Sequence, residues 1–252
     1  MVRRETLVKF IDNYLKTTEV RDSSWNGLQV EGKALVRKVV GAVDAGLETF
    51  RVALAKKADF LIVHHGLFWK QILPYLTGVN KERIKILLDN QLSLYASHLP
   101  LDRHPKIGNN ALLLKTIGAK KEREYFLYEG QSISWTGIFQ PATTTKEVVA
   151  RLEKYLRTNC QVLDFGPKKV NRVAVCSGAG GLAAFTQALS QEVDLYVTGE
   201  ETDFYHLAKD NNCAVIFAGH HATETLGVQA LLRLVAARWK LETVFVDIPT
   251  GL

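Results

Sequence analysis

An imperfect internal duplication constrains the fold of this chain more strongly than any other feature of its sequence. Residues 45–65 and 180–200 align without a gap, and the matching pairs are Gly46 and Gly181, Leu47 and Leu182, Phe50 and Phe185, Ala53 and Ala188, Leu54 and Leu189, and Asp59 and Asp194. Each copy has the pattern of a glycine turn, a helix and an apolar strand, and a further apolar strand precedes it. Repeated strand–helix–strand units are typical of α/β proteins. The sequence therefore predicts an α/β fold with two pseudo-symmetric βαβ-containing halves.

Residues 122–169, between the two copies, have a different pattern and predict a small α+β insert. Residues 132–139 resemble a strand, Thr144 and Glu147 have the spacing of a helix capping box, and residues 148–156 continue as a helix. We expect a single domain over residues 1–252, with a first half at 1–121, the insert at 122–169 and a second half at 170–252.

Two adjacent histidines, His64 and His65, follow the apolar run of residues 60–63, and Gly66 then ends the predicted strand. Neighbouring side chains on a regular strand point to opposite faces, so one ion would not easily collect both rings. Two ions beyond the strand end could each take one. Imidazole is a common ligand for zinc, iron, nickel and copper.

Each half also contains a histidine that is followed four residues later by an acid. His98 precedes Asp102 in the first half, and His220 precedes Glu224 in the second. Both pairs come after apolar, strand-like runs, and sites in open α/β sheets form beyond such strand ends. On a helix, positions four apart share one face. The pattern predicts two half-sites that face each other around a shared metal site.

Composition predicts a cytoplasmic protein that does not contact a membrane. No apolar run approaches the length of about 20 residues that a spanning helix needs. Residues 3–15 have the pattern of an amphipathic helix rather than a signal peptide. Three well-separated cysteines, Cys160, Cys176 and Cys213, are typical of a reducing compartment.

The net charge of +6 comes from scattered basic residues, which favours a mixed-charge surface. Weak attraction to nucleic acid or to phosphorylated compounds is the alternative, although the sequence has no nucleic-acid recognition motif. The loop Ser177–Gly181 follows one strand and opens a helix. Its glycines suit either a tight turn or phosphate binding by backbone amides.

Taken together, these motifs resemble the Nif-three-like dinuclear metal-centre proteins, whose members are often labelled GTP cyclohydrolase I type 2 homologues. The resemblance spans essentially the whole chain, and the segments that carry it are residues 25–29, 64–66, 97–102, 108–110, 198–200, 219–224 and 246–249. One departure is the Leu99-Pro100 pair, where small polar residues are expected before the aspartate.

The resemblance implies an α/β fold, a toroidal homohexamer and a ligand set for two divalent ions per chain: His64, His65, Asp102, His220 and Glu224. The mixed nitrogen and oxygen donors suit zinc, iron, manganese or nickel. His98 and Glu200 are candidate catalytic residues. His98 could orient Asp102 or hold a substrate oxygen, and Glu200 could act as a general base. His206 could also contact the ligands.

The function that we favour from the sequence is metal-dependent hydrolysis of a C–N or P–O bond in a nucleotide-like or other small anionic substrate. The cyclohydrolase label follows from the resemblance alone. Two alternatives stay open: an iron trafficking or storage protein without catalysis, and a ring-shaped protein that binds nucleic acid.

Overall fold

A computed structural model describes residues 1–70 and 75–251 of the protein. The strands, in chain order, are β1 Val2–Arg3, β2 Gly27–Val30, β3 Leu35–Val36, β4 Lys38–Asp44, β5 Phe60–His65, β6 Ser93–Ala96, β7 Lys120–Tyr128, β8 Gln131–Thr143, β9 Gln161–Leu163, β10 Val170–Cys176, β11 Leu195–Thr198, β12 Ala214–Phe217 and β13 Glu242–Phe245. The helices are α1 Arg4–Leu15, α2 Leu47–Ala55, α3 Gly78–Asp89, α4 Leu99–Asp102, α5 Asn109–Ile117, α6 Thr145–Leu156, α7 Gly181–Leu189, α8 Tyr205–Asp210 and α9 His220–Trp239. Helices connect the parallel strands of both main sheets, which confirms the predicted α/β class.

The residues form two compact units. The first contains Met1–Leu101 and Gly227–Ile248, and the second contains Asp102–Leu226 together with the residues from Pro249 onward. Helix α9 therefore begins in the second unit and ends in the first. This grouping differs from the predicted halves at 1–121 and 170–252, whose last residue, 252, lies outside the described part. The assignment of a single domain stays a prediction.

The first unit is built on a five-stranded sheet in the order β13, β4, β5, β6 and β2. The strands β13, β4, β5 and β6 are parallel, and β2 runs antiparallel to β6 at one edge. Helix α9 lies directly on β4, because a Cβ atom at Gly41 would be 2.7 Å from Leu232 and 2.8 Å from Val228. The carboxyl ends of β4, β5 and β6 meet at one edge of this sheet.

The second unit is built on a six-stranded sheet in the order β7, β8, β10, β11, β12 and β9. Its three central strands, β10 to β12, are parallel, and β8 and β9 flank them in the antiparallel direction. Alternate residues of each strand enter two different cores. Val173 and Val175 pack with α5 and α6, whereas Ala174 and Cys176 pack with α7 and α8.

The predicted insert is continuous with this second sheet. Strands β7 and β8 pair with each other, and β8 pairs with β10. Thr144 caps α6 as the capping box predicts, because its hydroxyl accepts the backbone N–H of Glu147 and the Glu147 carboxylate accepts that of Thr144. The segment therefore extends the sheet of the second unit rather than forming a separate layer.

The internal duplication is visible in the hydrogen bonds of two aspartates. The carboxylate of Asp59 accepts the backbone N–H groups of Arg37 and Lys38 at 2.9 and 3.2 Å. In the second unit, the carboxylate of Asp194 accepts the equivalent groups of Asn171 and Arg172 at 2.7 and 3.0 Å. Each aspartate ties the start of one parallel strand to the start of its neighbour. The sequence match at these positions therefore reflects a shared structural role.

Several elements begin and end close to their predicted bounds. The predicted N-terminal helix is α1, and the apolar runs before the histidines are β5, β6 and β12. Within residues 1–70 and 75–251, no helix combines the length and the apolar character that are needed to cross a bilayer.

Candidate metal centre

The first unit gathers three histidines at the carboxyl ends of β5 and β6. His64 is fully buried, and its ring centroid lies 4.7 Å from that of His65 and 5.1 Å from that of His98. The rings of His64 and His65 thus lie close together, whereas neighbouring side chains on a regular strand point to opposite faces. Pairing between β5 and β6 ends at Val63, so the backbone beyond that residue is no longer held by β6.

Two of these rings are oriented by acceptors on neighbouring strands or loops. The Nδ1 atom of His64 lies 2.9 Å from the backbone oxygen of Ser97, which follows β6. The Nδ1 atom of His65 lies 2.7 Å from Oδ1 of Asp44, which is paired with His65 in the parallel register of β4 and β5. Since a carbonyl or carboxylate oxygen can only accept, each Nδ1 atom carries the hydrogen, and Nε2 is the atom that could bind a metal ion.

The third ring, His98, is held by the buried carboxylate of Asp22. The Nδ1 atom of His98 lies 3.0 and 3.1 Å from the two carboxylate oxygens. The same carboxylate also accepts the backbone N–H groups of Ser24 and Leu99 and the side-chain amide of Asn26. Burial raises the pKa of Asp22, but the hydrogen bond and charge of His98 and the other donors outweigh burial and hold this pKa below 3.8.

The three histidines could together hold a metal ion. Their nitrogen ligand atoms all lie within 4.8 Å of one another. The indole of Trp69 packs edge-on against His98, with ring centroids 5.1 Å apart, and its N–H donates to the backbone oxygen of Gly66. This aromatic ring therefore covers one side of the imidazole cluster.

The second unit places His220 and two carboxylates at the start of α9. The Nδ1 atom of His220 lies 2.6 Å from Oε1 of Glu200, and its Nε2 atom lies 3.1 Å from Oε2 of Glu224. Burial lowers the pKa of His220, but the hydrogen bonds and charges of Glu224 and Glu200 outweigh burial and raise this pKa to about 9. The helical spacing thus brings His220 and Glu224 together as predicted.

Gly178 makes room for this pair. Its backbone has φ +61°, and a Cβ atom there would overlap Oε1 of Glu224 and lie 3.0 Å from Nε2 of His220. The Gly178 N–H donates to the hydroxyl of Thr223, and the Ser177 N–H donates to the side chain of Asn110. These two amides therefore have acceptors within the second unit, and the loop packs closely against the start of α9.

Asp102 is buried in the second unit among polar partners. Its Oδ1 atom accepts hydrogen bonds from the side-chain amide of Asn109 at 2.8 Å and from the hydroxyl of Ser177 at 3.1 Å. A buried carboxylate needs such donors because burial without them is costly. Both donors hold the carboxylate in one orientation.

The Duf34/NIF3 (NGG1p interacting factor 3) family model matches residues 2–251 of this chain. The chain belongs to the DUF34/NIF3 family.

Relatives with similar sequences and structures cover 98% or more of this DUF34/NIF3 chain. A protein from Archaeoglobus fulgidus named GTP cyclohydrolase 1 type 2 homolog is 44% identical over 247 residues, which is 98% of either chain. The structure of TTHA1606 from Thermus thermophilus has a TM-score of 0.87 at 40% identity, and that of protein ybgI, described as of unknown function, has 0.92 at 35%. Each covers 100% of both chains.

The donors in both units of this DUF34/NIF3 protein fit divalent metal ions. Imidazole nitrogen and carboxylate oxygen atoms are the donor types that zinc, iron, manganese and nickel accept. The other ring nitrogen of each histidine, Nδ1, lies against a carboxylate or carbonyl oxygen. Such a partner is usual for metal-binding histidines in proteins. The buried histidine and acid side chains could therefore hold metal ions.

The candidate catalytic residues have defined partners in this DUF34/NIF3 structure. His98 lies with His64 and His65, and Glu200 accepts a hydrogen bond from His220. His206 is exposed on α8, where its ring lies 5.2 Å from that of Tyr205. Sequence reasoning missed Asp22 and Asp44 as partners of the histidines. The position of Asp44, an acid at the carboxyl end of a predicted strand, was a usable signal, whereas Asp22 lies in a loop without a motif.

Proposed function

We propose that this DUF34/NIF3 protein binds two divalent metal ions per chain and uses them for hydrolysis. The ligands in this proposal are His64, His65, Asp102, His220 and Glu224. The observation that carries the proposal is the set of orienting partners: each of these histidines has a carbonyl or carboxylate oxygen near Nδ1. Side chains that are oriented in advance lose little freedom on binding a metal ion.

The charge of such a centre favours an anionic substrate. Three neutral imidazoles and two carboxylates compensate only half of the charge of two divalent cations. The remaining positive charge attracts phosphate or carboxylate groups. Divalent ions in such sites supply Lewis acidity and activate water near neutral pH.

The residues of the chain around these ligands have positioning roles in the proposed reaction. Asp44 and Glu200 hold the rings of His65 and His220 by hydrogen bonds of 2.7 and 2.6 Å. Ser177 and Asn109 hold the carboxylate of Asp102. We therefore assign Glu200 the orientation of His220 rather than the general-base role that its position in the sequence suggested. The favoured substrates are nucleotide-like or other small anionic compounds with a C–N or P–O bond to break.

The proposal is tested by metal analysis followed by a hydrolysis panel. Protein purified without chelators or affinity tags, and then loaded with zinc, manganese or iron, should contain two ions per chain. GTP belongs in the panel because curated relatives are named GTP cyclohydrolase 1 type 2 homolog. Hydrolysis should saturate with substrate, and Glu224→Gln should lower both metal content and rate.

Other outcomes would contradict parts of the proposal. One ion or none at full loading would exclude a dinuclear centre. Full metal content without hydrolysis of any nucleotide or phosphoester, combined with transfer of iron to an acceptor protein, would replace hydrolysis by metal trafficking. Exposed Glu201, next to Glu200, gives a matched control, because Glu201→Gln should change neither metal content nor rate.

A further inference from the structure

An aromatic ring, the indole of Trp69, lies beside two histidines of the first unit. Its centroid is 5.1 Å from that of His98, with the ring planes at 69°, and 6.1 Å from that of His65, with the planes at 42°. All three residues lie within residues 1–101, which belong to one compact unit. Trp69 is only partly buried. A flat apolar surface is therefore accessible next to a proposed metal ligand.

The ring of Trp69 is held in place at its side chain and at its backbone. Its Nε1–H donates to the backbone oxygen of Gly66 at 3.0 Å, and its backbone is paired with that of Ser24 in an antiparallel bridge. A side chain that is already fixed loses little conformational freedom when a ligand binds. Because the indole N–H already has an acceptor, Trp69 presents an apolar face to a ligand rather than a hydrogen-bond donor.

The bridge places a second tryptophan, Trp25, on the opposite side of the same loop pair. Bridge partners such as Ser24 and Trp69 point to one face, and the next residues along the chain point to the other. Trp25 and Lys70 therefore share the face that is turned away from Trp69, and the Lys70 Nζ atom lies 5.9 Å from the centroid of the Trp25 ring. Trp25 is 57% exposed. It provides a matched control, a large exposed ring that does not face the histidines.

We propose that Trp69 stacks on a planar heterocycle of the substrate and thereby selects substrates that carry such a ring, such as a nucleobase. The inference rests on the proposed function. It narrows the substrate class from small anionic compounds to anionic compounds with a planar ring. The charge of the proposed centre attracts phosphate or carboxylate groups whether or not a ring is attached. Trp69 is then the residue that distinguishes the two kinds of compound.

The test compares two probes that differ in the ring. GMP and ribose 5-phosphate both contain a ribose with a 5′-phosphate, and only GMP carries a planar base. The full chain, loaded with zinc and with its metal content measured, is titrated with each probe by isothermal calorimetry. Stacking of a base on an aromatic side chain changes affinity by about 10–100-fold. We expect the unsubstituted protein to prefer GMP by a factor of this order.

Two substitutions at Trp69 separate stacking from a structural role. Trp69→Leu keeps an apolar side chain but removes the flat ring, so most of the preference for GMP should be lost. Its dissociation constant for ribose 5-phosphate and its metal content should be unchanged, because neither depends on stacking. Trp69→Phe keeps an aromatic face and should retain a large part of the preference. Damage to the fold or to the metal centre would instead weaken the binding of both probes.

The control Trp25→Leu removes an exposed ring from the other face of the loop pair. Both dissociation constants should stay at the values of the unsubstituted protein. Circular dichroism and urea unfolding of each variant verify that the fold is intact. If a loss of preference at Trp69→Leu were accompanied by unfolding, Trp69→Phe at the same position would still decide between stacking and packing.

Any of four results would overturn the inference. The unsubstituted protein could bind the two probes equally, or it could fail to bind GMP. Trp69→Leu could weaken both probes by the same factor, or it could keep the full preference for GMP. Failure of the proposed function is recognised separately, because it appears as fewer than two ions per chain or as an absence of hydrolysis, whereas stacking is measured by binding at a known metal content.

Discussion

At the scale of single residues, the partner of a histidine is as informative as the histidine. Glu200 contacts Nδ1 of His220, and Glu224 contacts Nε2 of the same ring. Only Glu224 was expected to be a metal ligand. A carboxylate on Nδ1 orients the ring and raises the basicity of Nε2. In the proposed metal centre, Glu200 therefore orients the ring of His220 and need not touch a metal ion.

This arrangement makes a prediction for Glu200→Gln. The variant should keep its fold and lose about 10–100-fold in affinity for a divalent ion, because the amide orients His220 less strongly. Competition with a chromophoric chelator measures that affinity. Exposed Glu201→Gln provides the control and should bind like the unsubstituted protein. Equal affinities for the two variants would remove Glu200 from the site.

Asp59 makes a prediction about pH at the same scale. Burial raises its pKa, but the Lys33 ammonium and the N–H groups of Arg37 and Lys38 outweigh burial and hold it below the ordinary value of 3.8. Because the pKa of Asp59 is lower in the folded state than in the unfolded state, the ionised carboxylate stabilises the fold at pH values above its ordinary pKa. This stabilisation is lost as the pH falls through the pKa of the folded state.

The variant Asp59→Asn should therefore be destabilised most at neutral pH, by about 1–3 kcal/mol, since the Lys33 ammonium and the N–H groups of Arg37 and Lys38 lose a charged acceptor. Urea unfolding at several pH values measures the difference from the unsubstituted protein. That difference should shrink below about pH 4 as the aspartate becomes protonated. Exposed Asp89→Asn, which breaks only the surface pair with Lys85, is the control. A difference that is constant with pH would contradict the assignment.

At the scale of secondary-structure elements, the loop between β10 and α7 sets the space available to α9. Gly178 and Gly181 both have positive φ, but only at Gly178 would a Cβ atom meet other atoms, which belong to Glu224 and His220. Gly181 is therefore required only for its backbone conformation. Gly178 is required both for its backbone conformation and for the close packing of Glu224 and His220.

The comparison predicts unequal effects of two alanine substitutions. Gly181→Ala should cost about 1 kcal/mol of unfolding free energy, which is the price of a left-handed backbone at a residue with a side chain. Gly178→Ala should cost more and should also weaken metal binding, because the new methyl group displaces Glu224. Urea unfolding and cobalt titration measure both effects. Metal affinity that is unchanged in Gly178→Ala would show that the loop does not shape the site.

Periodicity in the sequence predicted elements better than it predicted their pairing. The strands before the histidines and the capped helix α6 follow from local patterns, which depend on a few neighbouring residues. The extension of the second sheet by β7 and β8 depends on contacts between distant residues, which a local pattern does not report. The same reason explains why Asp22 was not predicted as a partner of His98: the two residues are distant in the sequence, and only the fold brings the loop of Asp22 to His98. Asp44 could have been predicted as a partner of His65, because it is an acid at the carboxyl end of a predicted strand. The register of the adjacent parallel strands pairs it with His65.

At the scale of the whole molecule, metal binding should be measurable as stability. An ion that binds the folded state stabilises it by about 2.7 kcal/mol when the free metal exceeds the dissociation constant 100-fold. For a chain of this length, that corresponds to a rise in the unfolding midpoint of about 5–10 °C. Differential scanning calorimetry with and without chelator measures it, and Glu224→Gln should reduce the rise. An unchanged midpoint with metal would contradict binding to the folded protein.

The assembly implied by the family resemblance is a homohexamer. Light scattering should then find a particle of about six 28.2 kDa chains in solution. A mass near that of one chain would contradict this expectation. The measurement should be repeated after chelation, because a mass that is independent of metal would show that assembly and metal binding are separate properties.

The passage of α9 from one unit to the other has a consequence for the order in which the nascent chain can fold. Strand β4 pairs with β13, and Gly41 in β4 lies against Val228 and Leu232 of α9. The ribosome therefore releases nearly all of the second unit before it releases the residues that finish the core of the first. Domains usually fold in the order of their synthesis. Here the amino-terminal sheet remains partly uncovered until the last segments have been translated, so a translational pause or a chaperone would act on that sheet rather than on the segment made after it.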